Sequence, residues 1–199
     1  MKFFKENSYE IVRLYINNIG ITIFSLMLYF SAGHIAKESV APFNVVISIF
    51  SIGFLMALVY CAGWDLGAKD RVSIDAGRMD YDKHKGVKIA LFANVPNFVL
   101  AFFTFIFLVL NMITSVEGFK VASAIFDAIM RLTMSMYIGV INEIFNLFSL
   151  DTTVSFLLES LSFLLMPALV IFATAIGYRF GEKNIRIFDL LRQKKGDNE

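Results

Sequence analysis

The chain has 199 residues, of which 57% are hydrophobic and 18% are charged, and its formal net charge is +1. A soluble domain of this length could not bury so much apolar surface without exposing large patches, which argues against a soluble globular protein. The small net charge and the dispersed basic residues argue against nucleic acid as a partner. A single cysteine, Cys61, excludes an internal disulfide.

Lysine and arginine are sorted along the chain. Apolar stretches at 16–32, 44–62, 89–112 and 154–178 leave five polar segments, which hold 3, 1, 6, 2 and 6 of the 18 basic residues. Cytoplasmic flanks of spans retain Lys and Arg, whereas translocated flanks do not. The pattern predicts an all-α integral membrane protein with four transmembrane helices and both termini cytoplasmic. Since many Phe, Ile, Asn and Lys residues suit an AT-rich bacterial genome, we expect the plasma (inner) membrane.

The first span carries polar side chains on one face. Asn18, Thr22 and Ser25 are spaced by four and three residues, so they share a side of a helix. Small polar groups of this kind pack against other helices in a membrane. This face is therefore expected to be an interhelical contact.

A charged segment, 64–88, follows the second span and is predicted to be a cytoplasmic loop. Its aspartates at 65, 70, 75 and 80 recur every five residues, which scatters them around a helix and disfavours a shared metal site. Its basic side chains are expected to contact anionic lipid headgroups or a protein partner. They are Lys69, Arg71, Arg78, Lys83, Lys85 and Lys88.

The third and fourth spans contain polar residues that are costly in lipid. Asn94 and Asn97 flank Pro96 and can bond the backbone groups that a proline frees. Glu159 lies inside the fourth span, where an acidic group costs ~2.5–3.5 kcal/mol at the span centre. Such a group faces a partner or a polar cavity, so Glu159 is the leading candidate for a functional acid.

The segment 119–150 has polar or small residues at every third or fourth position. This spacing predicts one continuous stripe on a helix. If the segment spanned the membrane, the basic tail 179–199 would lie outside, so we expect an external amphipathic or re-entrant helix. Asp127 and Arg131 can pair along the stripe. Two arrangements are possible for such a helix. In the first, the stripe faces water. In the second, the stripe faces a polar cavity or a partner while the apolar face meets lipid. Its members are Lys120, Ser123, Asp127, Arg131, Ser135, Gly139, Asn142, Asn146 and Ser149.

No phosphate loop, zinc motif or cysteine pair is present, so no metal or cofactor is predicted. The favoured hypothesis is a non-enzymatic subunit of a larger membrane assembly, with the bilayer and a membrane protein or a second copy as partners. The alternative is a small oligomeric transporter or channel, with Glu159 and the 120–149 stripe lining its path. A metal-dependent lipid-modifying enzyme that uses 65–88 is the second alternative. The candidate functional residues are Glu159, Asp127, Arg131, Asn142, Asn146, Asn94 and Asn97.

Overall fold

The structure is a computed structural model that describes residues 2–35, 41–114, 116–148 and 152–185. Within these ranges every regular element is an α-helix. The helices are α1 (Lys2–Glu6), α2 (Ser8–Ile35), α3 (Ala41–Asp75), α4 (Lys85–Thr114), α5 (Glu117–Thr133), α6 (Ser135–Phe148) and α7 (Thr152–Glu182).

Four of these helices, α2, α3, α4 and α7, are long and apolar enough to cross a membrane. The prediction of an all-α protein with four candidate spans is confirmed, and the chain has the character of a multi-pass membrane protein. The cytoplasmic placement of both termini stays a prediction. Most of the basic tail, residues 186–199, lies outside the described residues.

Helix α3 is longer than its apolar stretch. Its 35 residues extend about 52 Å at ~1.5 Å per residue, well beyond the ~30 Å of a bilayer's hydrocarbon core. The segment 64–88 is therefore helical up to Asp75, and α4 already begins at Lys85. Ion pairs one turn apart support the charged half of α3: Lys69 to Asp65 at 3.0 Å and Arg71 to Asp75 at 3.4 Å.

The segment that carries the polar stripe is broken at Met134. Helices α5 and α6 meet there at a bend of 107°, so the expected single continuous helix is two. The N–H of Met134 closes α5 on the carbonyl of Met130, at 2.8 Å. The stripe faces inward only in part: Ser123, Ser135 and Gly139 are buried, Asp127 and Arg131 are half-buried, and Lys120 and Asn142 are exposed.

The chain forms two compact units, and α2, α3, α4 and α7 contribute residues to both. Unit 1 comprises 1–14, 56–93 and 170–199, and unit 2 comprises 15–55 and 94–169. Tyr178, Ile89 and Val59 belong to the core of unit 1. Met130, Phe163 and Ile141 belong to the core of unit 2.

Glycines bring α3 and α7 into backbone contact in unit 1. A Cβ at Gly67 would meet the carbonyl oxygen of Tyr178, and one at Gly181 would meet that of Trp64. Gly63 and Gly177 are equally crowded, one turn away on each helix. Small residues spaced by four are how helices approach closely in a membrane, where apolar burial cannot drive association.

In unit 2, hydrogen bonds connect the α5–α6 segment to α2 and α3. The Thr22 hydroxyl donates to the carbonyl of Thr133 at 2.9 Å, and the Ser135 hydroxyl donates to the carbonyl of Thr22 at 3.4 Å. The amide of Gly139 donates to the Ser48 hydroxyl at 3.0 Å. These bonds place hydroxyl groups next to the helix break, where backbone groups would otherwise lack partners.

Candidate functional site

Three charged side chains of unit 2 form one cluster, which we call the charge cluster: Asp127, Arg131 and Glu159. The Nε of Arg131 lies 2.8 Å from Asp127 Oδ2, one turn earlier on α5. Its Nη2 lies 2.6 Å from Glu159 Oε2, on α7. The structure thus joins two carboxylates through one guanidinium. The α5 pair follows from its spacing, whereas the contact with α7 depends on tertiary packing.

The charge cluster holds one more negative than positive group when all three are ionised. Glu159 is 6% exposed, and its Oε1 atom has no hydrogen-bond partner among the described residues. A buried carboxylate oxygen without a donor is costly, and the cost falls when a proton or a cation arrives. Glu159 Oε1 is accordingly the one oxygen of the cluster that is buried and without a hydrogen-bond donor among the described residues.

A cavity of about 280 Å³ adjoins the charge cluster and is lined by residues of α4, α5 and α7. Asp127 belongs to both the cavity wall and the cluster. Ser123 and Ser160 also line the cavity, and they are only 8% and 4% exposed. Neither serine side chain makes a hydrogen bond within the described ranges. The sequence placed Ser123 on the polar stripe but gave no sign of Ser160.

The candidate asparagines do not all gather at the charge cluster. Asn94 and Asn97 are buried in unit 2 and bond to each other at 3.3 Å, and Asn94 accepts from Asn18 of α2 at 3.4 Å. Asn142 is exposed on α6. The side chain of Asn146 lies outside the described residues.

Unit 1 contains a buried polar group of three residues that we call the Asp70 triad: Asp70, Lys85 and Tyr178. Lys85 Nζ lies 2.9 Å from Asp70 Oδ1, with the two side chains 12% and 8% exposed. The Tyr178 hydroxyl donates to Asp70 Oδ2 at 2.9 Å. Lys85, expected to contact lipid headgroups or a partner, instead has its ammonium in this interior pair. The sequence gave no signal for the triad, because its members come from three helices.

The other basic side chains of 64–88 lie at or near the surface of unit 1. Lys69 pairs with Asp65, Arg71 with Asp75, and Lys88 with Asp82 at 2.7 Å. The hydrogen bond from Lys88 holds the pKa of the Asp82 carboxyl below its usual value. Arg78 and Lys83 are exposed. Among the described residues no group of three or more His, Cys, Asp or Glu is placed to hold a metal ion.

The chain matches no family model, no curated protein and no solved structure.

Proposed function

We propose that this chain is a small multi-pass transporter or channel that works as an oligomer, with Glu159 as its proton- or cation-linked acid. The observation behind the proposal is the buried Glu159 carboxylate, which shares Arg131 with Asp127 and whose Oε1 has no hydrogen-bond partner among the described residues. Ionisable groups inside spans are rare and mark ion pathways and proton relays. An isolated structural pair would balance its charges, whereas this cluster carries an extra carboxylate.

The proposed chemistry is an exchange at Glu159 Oε1. A proton or a monovalent cation that arrives there removes the excess negative charge and leaves Arg131 paired with Asp127. Its departure restores two carboxylates around one guanidinium. Helices α5 and α6 meet only a few residues after Arg131. A change in the charge of the cluster would therefore act close to the break between these two helices. Broken helices of this kind form binding sites in membrane transporters.

The test is proton movement in vesicles that contain the purified chain. We expect wild type to dissipate an imposed pH gradient, which is followed with an enclosed pH-sensitive dye. Glu159→Gln should dissipate the gradient at least about tenfold more slowly, which corresponds to a barrier higher by about 1.4 kcal/mol. Glu143→Gln is the matched control on α6 and should behave as wild type. A wild type that moves no more protons or cations than empty vesicles would refute the proposal.

A second candidate is a non-enzymatic subunit of a larger membrane assembly. The observation that favours it is the internal pairing of polar groups in unit 2, where the Thr22 hydroxyl donates to the carbonyl of Thr133 and the Ser135 hydroxyl donates to the carbonyl of Thr22. Groups so engaged fix helix packing and leave no free donors or acceptors for a solute. Oligomeric state in mild detergent separates the two hypotheses, because a subunit co-purifies with other chains and an oligomeric transporter with itself.

The lipid-modifying alternative has no comparable support. Asp65, Asp70, Asp75 and Asp82 are paired with different basic side chains. A metal-dependent enzyme needs several carboxylates that converge on one ion.

A further inference from the structure

The cavity beside the charge cluster combines two unlike charges with apolar walls. Lys120 and Asp127 line it from α5, and Leu108 and Phe156 line it from α4 and α7. Within the described ranges Lys120 has no ion-pair partner. Arg131 is shared by two carboxylates, so a net negative charge remains at the Asp127 end while Lys120 supplies a positive charge at the other. The cavity is therefore neutral as a whole and strongly dipolar.

The spacing of the two charges sets the size of what can lie between them. Lys120 and Asp127 are two turns apart on α5, about 10 Å along the axis at ~1.5 Å per residue. The flexible stem of a lysine spans part of that distance. A ligand that reaches both groups needs an anionic and a cationic end separated by several bonds. The apolar side chains between them suit a short methylene chain.

Two serine hydroxyl groups in the cavity wall also favour a polar ligand. Ser123 and Ser160 are more than nine-tenths buried, line the cavity from facing helices, and make no hydrogen bond among the described residues. A serine in a membrane helix that does not bond to its own backbone is an available donor and acceptor. Ser123 lies between Lys120 and Asp127 on α5, and Ser160 lines the same cavity from α7.

We propose that this cavity binds a zwitterion, with its anionic end on Lys120, its ammonium on Asp127 and hydrogen bonds to Ser123 and Ser160. The proposal rests on the transport function above, for which it names the class of solute. The same chemistry is offered by a free ω-amino acid and by the phosphoethanolamine head of a lipid. Neither an anion nor a cation alone would satisfy both ends.

The test is equilibrium binding to the purified chain in phosphatidylglycerol nanodiscs, whose lipid headgroup has no cationic end. The probes are glycine, β-alanine, 4-aminobutanoate and 6-aminohexanoate, with butanoate and butylammonium as singly charged comparisons. We expect one of the longer zwitterions to bind at least about tenfold more tightly than either comparison, which corresponds to about 1.4 kcal/mol. Lys120→Gln, at an exposed position, should remove that advantage without affecting folding.

Serine variants provide the matched control. Ser160→Ala should weaken binding of the preferred zwitterion several-fold, because the cavity loses one hydroxyl. Ser162→Ala, two residues along α7, should not, since its hydroxyl already bonds to the carbonyl of Leu158 at 2.8 Å. Equal effects of the two substitutions would overturn the proposed site.

A second arm identifies the source of the zwitterion. Nanodiscs doped with phosphatidylethanolamine should retain that lipid on the chain, seen by native mass spectrometry, if the headgroup is the ligand. Lys120→Gln should abolish this retention. If neither the free zwitterions nor the lipid binds better than the singly charged probes, the proposal fails. Because no flux is measured, that result is distinguishable from a failure of proton movement in vesicles.

Discussion

Arg131 is the only described basic side chain in contact with the acids of the charge cluster, and it serves both of them. Its Nε and Nη2 atoms face different carboxylates, a geometry that a lysine ammonium cannot reproduce. Removing one partner of a buried pair leaves the other charge uncompensated, which costs more than the pair itself contributes. The stability of unit 2 should therefore depend more on Arg131 than on either acid.

We predict that Arg131→Met lowers the free energy of unfolding by about 3 kcal/mol. This value is the lower end of the range for breaking a buried pair, and we choose it because the Arg131 side chain is 31% exposed. Adding Glu159→Gln to that variant should recover part of the loss by removing a buried charge. Thermal unfolding in detergent measures both. A double variant that is less stable than Arg131→Met would contradict this account of the cluster.

The Asp70 triad differs from the charge cluster in being charge-balanced. Asp70 and Lys85 neutralise each other, and the Tyr178 hydroxyl occupies the second carboxylate oxygen. A satisfied pair of this kind is expected to hold helices together and has no vacant oxygen for a ligand. We assign the triad a structural role on that ground.

We predict that Tyr178→Phe destabilises the protein by about 1–3 kcal/mol, since it leaves a buried carboxylate oxygen without its donor. Tyr9→Phe is the matched control, because Tyr9 is 72% exposed and loses only solvated contacts. The difference in melting temperature between these two variants tests the hydrogen bond. Equal melting temperatures would show that the Tyr178 hydroxyl adds nothing to stability.

At the scale of helices, the glycines divide into two classes. Gly67 and Gly181 lie where α3 and α7 touch through their backbones, whereas a Cβ added at Gly20 or Gly53 would meet no atom within 4 Å beyond its own stretch of helix. All four lie inside long helices, where glycine is less favourable than alanine by about 0.5–1 kcal/mol. Only the first pair has a packing reason for its glycines.

Alanine substitutions should therefore have opposite signs in the two classes. Gly67→Ala and Gly181→Ala should each lower stability, because the new methyl group forces the helices apart. Gly20→Ala and Gly53→Ala should raise it by about 0.5–1 kcal/mol. Denaturant or thermal unfolding of the four variants decides the matter. Stabilisation by Gly67→Ala would mean that α3 and α7 do not meet at this point.

The spans could be predicted from sequence because lipid imposes a long apolar run that is visible without any tertiary contact. The extension of α3 to Asp75 was missed because charged residues after Trp64 resemble a loop in hydropathy, although they keep helical ion-pair spacing. The break at Met134 was missed for another reason. Neither glycine nor proline marks it, and the hydroxyl of Thr22, far away in the chain, supports it.

The individual charged residues of the candidate site could be predicted from the sequence, but the contacts among helices that bring them together could not. Glu159 and the Asp127–Arg131 pair follow from a charge in a span and from helical spacing. Their contact, the cavity beside them and the role of Ser160 depend on how α7 packs against α5, which no local pattern encodes. The Asp70 triad was hidden for the same reason.

At the scale of the whole chain, the number of membrane crossings depends on α5 and α6. As one bent span they would give five crossings, and as a re-entrant pair they leave four. The distribution of basic residues predicts four. The two arrangements differ in the side on which the C-terminal tail lies.

Cysteine labelling in intact cells, in a Cys61→Ala background, tests this prediction. We expect Lys83→Cys and Lys194→Cys to be shielded from an impermeant thiol reagent, and Glu117→Cys, exposed at the start of α5, to react. Reaction at position 194 together with protection at 83 would rule out four crossings. Permeabilised cells provide the control, since all three positions should then react.

The Asp70 triad also bears on how the protein is made. Lys85 and Asp70 are 15 positions apart, whereas Tyr178 is 108 positions from Asp70. Closing a short loop costs less entropy than closing a long one, so the lysine–aspartate contact forms at the lower cost. During synthesis, α3 and α4 can thus form a hairpin joined by the Asp70–Lys85 pair before the ribosome has produced α7. Helix α7 then packs against this hairpin, where its glycines contact α3 and the Tyr178 hydroxyl donates to Asp70.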